Sequence, residues 1–173
     1  MPRQARIESE TGYYHIMTQG INKDKIFEMD KEKEIILQYL KEKTQEEACQ
    51  IVAYCIMDNH MHIIINAEKD ELASAMKKIN ISYAMSYNQR HKRIGPVFRD
   101  RFKSENITDE RYLLGAIRYL HNNPVKAKKI EKAEGYKWSS LREYLTNDIT
   151  IINKQSKEEI MRGFLSGNAS RYR

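Results

Sequence analysis

Short runs of apolar, β-branched and aromatic residues occur three times early in the chain, and such runs predict β-strands. The first covers Tyr13–Thr18 and alternates with polar positions, the second covers Ile51–Ile56, and the third begins at His60. Asp58 and Asn59 lie between the second and third runs and favour a tight turn. The pattern therefore predicts one strand and, farther along, a hairpin.

Apolar residues at helical spacing mark three longer segments. We expect the first helix from about Lys31 to Glu47, with Asp30 as its N-cap, and the second from about Asp70 to Arg90. A third is expected to begin after a capping Thr108 and to end before Pro124, because the residue preceding a proline avoids the α region.

A further strand is predicted between the last two helices. A glycine–proline pair breaks the chain at residues 95–96, and Val97–Lys103 then alternates strictly between polar and apolar positions. The alternation places Arg99, Arg101 and Lys103 on one face, which predicts a basic stripe.

The rest of the chain carries fewer signals. We expect Trp138 and Leu141 to dock on the core and Lys157–Phe164 to form a short terminal helix. The length of 173 residues accommodates one domain. Strands followed by helices in this order predict an α+β fold, an antiparallel sheet covered by helices on one face.

Composition adds a basic balance. The chain has 30 Lys and Arg against 24 Asp and Glu, a net charge of +6 and a pI near 9.2. This excess favours a polyanionic partner such as nucleic acid, although solubilising charge explains it almost as simply. Cys49 and Cys55 are too few for a disulfide framework or a zinc knuckle, and no apolar run approaches membrane-spanning length. We therefore expect a soluble cytoplasmic protein without a membrane partner.

Two histidines separated by one residue begin the third strand. Because side chains alternate along a strand, His60 and His62 point the same way and Met61 points to the other face. Two imidazoles on one rigid strand can hold a divalent metal ion. The alternative is a pair of half-buried histidines without a function, since this spacing is common by chance.

A second candidate group lies at the end of the third helix. Tyr119 and Asn123 are four residues apart, so both project from one face of the helix, one turn apart. A tyrosine hydroxyl has an ordinary pKa of about 10 and needs a metal or a positive charge nearby to act as a nucleophile. The oxygen of Asn123 could complete a metal shell begun by two imidazoles. The alternative is a core tyrosine followed by a capping asparagine.

Basic and aromatic side chains offer a surface for nucleic acid, although clusters of cations are often only solvated. The cations expected to contact phosphates are Arg90, Arg93, Arg99, Arg101 and Lys103. The tyrosines considered for stacking on unpaired bases are Tyr13, Tyr14, Tyr83 and Tyr87. Of these, Tyr83 continues an apolar helical stripe, which favours a position in the core.

Six motifs occur in the same order as in the single-tyrosine HUH transposases, and the chain resembles their REP-associated branch most over residues 2–145. The motifs are Tyr14-His15-Ile16-Met17 with Gly20, Met57-x-Asn59-His60-Met61-His62, Asn88-x-Arg90-x-x-Arg93-x-Gly95, Arg101-Phe102-Lys103-Ser104, Arg118-Tyr119-x-x-x-Asn123-Pro124-Val125 and Trp138-Ser139-Ser140. The resemblance implies a ferredoxin-like or RRM-like fold. It also implies a transposase domain over residues 1–145, with residues 146–173 as an extension rather than a second domain.

Carried over position by position, the resemblance implies that His60, His62 and Asn123 bind a divalent ion, Mg²⁺ or Mn²⁺, and that Tyr119 is the nucleophile. The implied activity is cleavage and rejoining of single-stranded DNA with hairpin or palindromic ends through a 5′-phosphotyrosine. The base that takes the tyrosine proton stays open between His121 and a metal-bound water.

The chain departs from the family pattern at two places. Phe98-Arg99-Asp100 stands where the branch commonly has Trp-Gln-Gly, and Gln19 stands where an arginine is frequent. Both differences bear on the DNA sequence recognised rather than on the chemistry.

Two other functions and the oligomeric state stay open. One function is a domesticated protein that binds hairpin DNA without strand transfer. The other is a metallohydrolase in which water attacks and Tyr119 only orients the substrate. Insertion-sequence relatives work as dimers and REP-associated members can act as monomers, so a homodimer is one of two expectations.

Overall fold

The computed structural model describes residues 7–163 and residue 166. In chain order the elements are β1 (Tyr13–Gln19), α1 (Asp30–Glu46), β2 (Gln50–Ile56), β3 (His60–Asn66), α2 (Lys69–His91), β4 (Lys103–Asn106), α3 (Glu110–Lys126), α4 (Leu141–Leu145) and α5 (Lys154–Gly163). Short 3₁₀ turns cover Ile21–Lys23 and Ala133–Gly135.

The four strands form one antiparallel sheet in the order β2-β3-β1-β4. Helix α1 connects β1 to β2, and α2 connects β3 to β4. The predicted α+β class and the antiparallel sheet are therefore confirmed. The register between the central strands places Met17 opposite His62 and Gln19 opposite His60, so the start of β3 lies beside the end of β1.

The two faces of the sheet are covered differently. Ile16 and Met61 are fully buried and alternate with His15 and His62, so the apolar pair and the histidines point to opposite faces. Helices α1 and α2 pack against each other and cover the apolar face, as predicted. Helix α3 contacts β2 and β3 and brings Tyr119 beside the histidines, so it lies on the other face. The helices are therefore not confined to one face as predicted.

Residues after α3 pair with the outer edge of the sheet at β2. The Ile56 amide donates to the Trp138 carbonyl at 2.9 Å, and the Asn153 amide donates to the Ile51 carbonyl at 2.8 Å. These bonds satisfy a strand edge that would otherwise invite pairing with another chain. Trp138 is buried, which confirms its predicted docking. The division of the chain at residue 145 stays a prediction.

Helix α3 differs from its prediction at both ends. Asp109 rather than Thr108 is the N-cap, since its Oδ1 accepts a hydrogen bond from the Tyr112 amide at 2.8 Å. The helix also continues through Pro124 to Lys126. A proline so near a helix end removes only one intrahelical hydrogen bond, and three helical residues follow Asn123 at little further cost.

The strand predicted over Val97–Lys103 is wrong, because β4 begins only at Lys103. Phe98 makes an isolated bridge with Gly20, whereas Met17 pairs with Lys103. From one contact to the other, the β1 side spans three residues (Met17 to Gly20) and the partner segment spans five (Phe98 to Lys103). The two extra residues form an irregular excursion that interrupts the alternation.

Two other helix starts differ slightly from their predictions. Asp30 is the first residue of α1 rather than its cap, and the N-cap residue Met29 makes no side-chain hydrogen bond there. Helix α5 starts at Lys154, three residues before the predicted Lys157. Its predicted last residue, Phe164, lies outside the described residues.

Among the residues that the structure describes, no helix has the length and apolar character needed to span a bilayer.

Candidate active site

The two histidines of β3 share one face, with ring centroids 5.1 Å apart. His60 Nδ1 donates to Asn59 Oδ1 at 2.6 Å, and a 3.0 Å hydrogen bond joins His62 Nδ1 to His15 Nε2. Within residues 7–163, Nε2 of His60 and of His62 has no hydrogen-bond partner. Each ring is therefore held by a hydrogen bond at Nδ1 and leaves Nε2 available, which is how metal-binding histidines are usually oriented.

Burial lowers the pKa of all three histidines at this place. The pKa of His62 falls to about 3, because the nearby rings of His15 and His60 add to the effect of burial. Burial also lowers the pKa of His60 against the opposing charge of Asp58, and that of His15 against Glu105. The three rings are therefore neutral at pH 7 and keep a lone pair for a metal or a hydrogen bond.

Tyr119 extends from α3 toward these rings. Its ring centroid lies 5.9 Å from that of His62 and 6.3 Å from that of His15. The side chain is 44% exposed, and its hydroxyl has no hydrogen-bond partner in the described part of the chain. Lys126 lies two turns later on the same helix face and places Nζ 4.6 Å from the centroid of the Tyr119 ring. The Tyr119 hydroxyl is therefore accessible to a ligand, and its ring is adjacent to a positive charge.

Asn123 lies one turn after Tyr119 on the same face of α3 and is half-buried. Its Nδ2 atom is buried and has no hydrogen-bond partner within the described residues. Buried polar groups are normally paired, so this NH₂ group retains capacity for a hydrogen-bond acceptor such as a phosphate oxygen, whereas a metal ion would be bound by Oδ1.

His121, one of two candidates for the base, points away from Tyr119. Its side chain is 5% exposed, and its Nε2 forms a 2.8 Å hydrogen bond with Ser140 Oγ. Burial lowers the pKa of His121 to about 4. The ring packs against Tyr144, so this histidine belongs to the contact between α3 and the following segment and cannot take the proton.

A cleft of about 510 Å³ opens beside Tyr119, between α3 and the β1–β4 side of the sheet. Most side chains of the two walls are polar or aromatic, Met17 and Ala116 add apolar surface, and Gly115 has no side chain. The lining residues that matter here are His62, Lys103, Glu105, Tyr112, Gly115 and Tyr119.

Comparison with known proteins settles the family. Residues 8–123 match the family described as transposase, IS200 like. The chain belongs to the IS200-like transposase family. The predicted family is confirmed, and the protein is a transposase that acts on DNA. The matched residues include both β3 histidines, Tyr119 and Asn123.

Two solved structures are similar to this transposase, and the one with the TM-score of 0.70 shares its fold. One is a REP-associated tyrosine transposase bound to a REP hairpin, with a TM-score of 0.70 and 14% identity over 89% of this chain and 98% of that chain. Another is a candidate transposase from Deinococcus radiodurans R1, with a TM-score of 0.47 and 12% identity over 70% of this chain and 95% of that chain. The sequence matches none of the curated proteins.

Transposases of this family generally use a divalent metal ion, and the residues of this transposase fit one. His60 and His62 are neutral and present Nε2, and Asn123 lies on the face of α3 that carries Tyr119 and has an amide oxygen, the atom of that side chain that can bind a cation. In the described part of the chain no group of three or more His, Cys, Asp and Glu residues could hold an ion. Two imidazoles therefore need an amide oxygen or substrate oxygens to complete the shell.

Two cations predicted to contact DNA have partners within the protein. Arg90 forms an ion pair with the buried carboxylate of Glu32. The Arg93 guanidinium lies 5.6 Å from the centroid of the Tyr87 ring and 4.0 Å from Asp24. These contacts hold the C-terminal end of α2 in place, so the positions of Arg90 and Arg93 do not by themselves indicate contact with DNA.

The predicted basic stripe is divided. Arg99, Arg101 and Lys103 are all exposed, but only Lys103 belongs to β4 and lines the cleft beside Tyr119. The two arginines lie in the irregular excursion before the strand.

Base stacking on three of the four suggested tyrosines is excluded by burial. Tyr14 and Tyr83 are almost fully buried and Tyr87 is 9% exposed, whereas Tyr13 is half-buried. Tyr112, which is exposed in the cleft, was not among the tyrosines suggested for stacking.

Two residues near Tyr119 were also missed. Lys126 shares the helical spacing of Tyr119 and Asn123, so the helix period could have revealed it. His15 lies beside His62 only through strand pairing, and no local spacing could have shown that contact.

Proposed function

We propose that this transposase cleaves and rejoins single-stranded DNA at hairpin or palindromic ends through a 5′-phosphotyrosine on Tyr119. The observation that carries the proposal is the position of Tyr119, whose ring centroid lies 5.9 Å from that of His62 across the gap between α3 and β3. Tyr119 is exposed, and its hydroxyl has no hydrogen-bond partner among the described residues. A tyrosine that served only the core would be buried and bonded.

The reaction conserves bonds and protons. The Tyr119 oxygen forms a bond to phosphorus, and the bond from phosphorus to the 3′ oxygen of the preceding nucleotide breaks. The phenol loses one proton and the departing oxygen gains one, which leaves a free 3′-hydroxyl and a protein-linked 5′ end. A second 3′-hydroxyl can reverse the step and join new ends, because the phosphotyrosine keeps the bond energy of the phosphodiester.

In this proposal His60, His62 and Asn123 bind a divalent ion, Mg²⁺ or Mn²⁺. Such an ion stabilises negative charge on the phosphate oxygens when bound. Asn59 and His15 hold the two imidazoles in the orientation that this requires. Lys126 adds a fixed positive charge next to the Tyr119 ring.

Hairpin DNA is proposed as the substrate, and the REP-associated relative bound to a REP hairpin supports that choice. A homodimer is proposed as one of two assembly states, and sedimentation of the protein with and without hairpin DNA distinguishes it from a monomer. Residues 146–173 are proposed as an extension of the transposase domain, since α5 begins directly after residues that pair with β2.

The experiment that tests the function uses a labelled single-stranded hairpin, Mn²⁺ and a second strand with a free 3′-hydroxyl. We expect a covalent protein–DNA adduct and a rejoined strand without any nucleotide cofactor, and neither product in the presence of EDTA. Cleavage that leaves a free 5′-phosphate and no adduct would show that water attacks. Binding without cleavage would support the alternative, a domesticated protein that recognises hairpin DNA.

A further inference from the structure

The cleft beside Tyr119 is larger than a phosphate needs. We propose that it holds one unpaired nucleobase that carries an exocyclic amino group, adjacent to the phosphate that Tyr119 attacks. This inference rests on the proposed function, because it assigns a site to the nucleotide beside the cleaved bond.

The cleft has the size and the floor for a flat ring. Its volume of about 510 Å³ lies within the roughly 300–1,000 Å³ of small-ligand sites. Gly115 contributes no side chain, and a Cβ added there would meet no atom within 4 Å. The next residue, Ala116, is also small and lines the cleft. Two adjacent small residues on α3 therefore leave a gap into which a base can enter.

Two tyrosines bracket this gap along the helix. Tyr112 and Tyr119 are seven residues apart and so lie on one face, two turns apart. They are 40% and 44% exposed, so both rings are accessible from the cleft. Exposed aromatic rings of this kind stack on unpaired bases without regard to sequence.

The polar group in the cleft supplies the selectivity. Glu105 lies on β4 and is exposed, and its carboxylate has no ion-pair partner among the residues that the structure describes. Its contact there is a long hydrogen bond from Tyr112 Oη at 3.4 Å. A carboxylate only accepts hydrogen bonds. It favours the exocyclic amino group of cytosine, adenine or guanine, and it disfavours an unpaired thymine because the one donor of that base, N3–H, lies between two carbonyl oxygens that repel the carboxylate. Lys103, two residues earlier and on the same face of β4, offers a cation to the neighbouring phosphate.

The experiment first maps the cleaved bond in a hairpin substrate and then varies the base on each side of it among all four. Initial rates of adduct formation are measured for the wild type, Glu105→Ala, Gly115→Leu and a matched control, Glu158→Ala. Glu158 is an exposed carboxylate that does not line the cleft. Thermal unfolding of each variant confirms the fold.

At one of the two positions we expect the wild type and Glu158→Ala to react roughly tenfold faster with an amino-bearing base than with thymine. In Glu105→Ala the rates with an amino-bearing base and with thymine should differ by no more than about twofold. A specific base contact gives a larger difference than that. Gly115→Leu should slow all substrates about tenfold or more, because a side chain that fills the gap displaces the substrate from its reactive position. The rates among the three amino-bearing bases then identify which of them the cleft accepts.

Equal wild-type rates with all four bases at both positions would overturn the base site and leave the proposed function standing. A thymine discrimination that persists in Glu105→Ala would also overturn it. Absence of any adduct, with every base, would remove the proposed function and this inference together.

Discussion

Two clusters of similar composition lie on opposite sides of the sheet, and only one of them suits chemistry. On the α1–α2 side, Tyr83, Arg90 and His91 all bond to Glu32, whose side chain is buried. On the α3 side, Tyr119 lies beside neutral histidines and a lysine, its hydroxyl unbonded in the part of the chain described here. A tyrosine, a histidine and a cation therefore do not define a site.

The difference lies in whether the polar groups are already satisfied. Burial alone would raise the pKa of Glu32, but hydrogen bonds from Arg90 and His91 outweigh it and hold that pKa below its ordinary value. Burial beside Glu32 also raises the pKa of Tyr83, so its hydroxyl stays protonated. The Glu32 cluster uses its hydrogen bonds to hold the fold, whereas the cleft keeps donors and acceptors for a ligand.

Removing one tyrosine hydroxyl from each cluster should give the largest difference between the two clusters in activity and stability. Tyr119→Phe removes the nucleophile, so we expect cleavage and adduct formation to fall at least ~10³-fold with little change in melting temperature. Tyr83→Phe loses buried hydrogen bonds to the Ile26 carbonyl and to Glu32, so we expect about 1–3 kcal/mol less stability and wild-type cleavage. Gel assays and thermal unfolding measure both, and residual adduct in Tyr119→Phe would contradict the comparison.

Glu32→Gln should produce the largest loss of stability, about 2–3 kcal/mol, because Arg90 loses its buried counter-charge. Since the folded pKa of Glu32 is lowered, its contribution is present above the ordinary pKa of 4.5 and is lost as the pH falls through the folded pKa. Denaturant unfolding of both proteins at pH 7, 5 and 3 should therefore show a gap that narrows at pH 3. A gap that is constant across this range would mean that charge does not hold the cluster together.

Alanine variants of the individual histidines should differ in their affinity for Mn²⁺. His62→Ala should reduce Mn²⁺ affinity and Mn²⁺-supported cleavage by more than ~10²-fold, and His15→Ala by roughly 10–100-fold, because His62 then lacks its hydrogen-bond partner. His60→Ala should behave like His62→Ala. His91→Ala is the matched control from the Glu32 cluster and should change neither quantity. Calorimetric titration with Mn²⁺ checks the order, and unchanged affinity in both β3 variants would exclude the metal assignment.

The smallest effects are expected for the cations. Replacing Arg99, Arg101 and Lys103 by Ala should weaken hairpin binding and flatten its salt dependence by about 0.7 in slope for each phosphate that is no longer neutralised. Arg90→Ala should leave the slope unchanged, because that guanidinium is paired with Glu32. Hairpin affinities measured over a salt series test both expectations. If the salt dependence of Arg90→Ala flattens as much as that of the triple variant, the ion pair between Arg90 and Glu32 opens when DNA binds.

The chain's local periods predicted the parts of the site that lie within one element. A period of two along β3 puts His60 and His62 on one face, and the helical period puts Tyr119 and Asn123 on another. Both statements hold in the structure because neither element is interrupted between the residues concerned. Even Pro124, which was expected to end α3, leaves that face intact.

Features that depend on contacts between elements could not be predicted in this way. The excursion before β4 adds two residues relative to β1, and no local pattern in residues 97–103 announces it. His15 reaches His62 through the register of β1 with β3, and Arg90 reaches Glu32 through the packing of α1 on α2. The cleft exists because α3 packs on β2 and β3 and leaves a gap between itself and the β1–β4 side of the sheet.

The identity of the nucleophile can be read from peptide mapping of the covalent adduct. The wild-type protein is incubated with a single-stranded hairpin and Mn²⁺, digested with protease and nuclease, and analysed by mass spectrometry for a nucleotide linked to tyrosine. We predict the modification on Tyr119 alone among the 11 tyrosines of the chain. A nucleotide on Tyr112, Tyr83 or Tyr87, or cleavage with no modified tyrosine at all, would contradict this assignment.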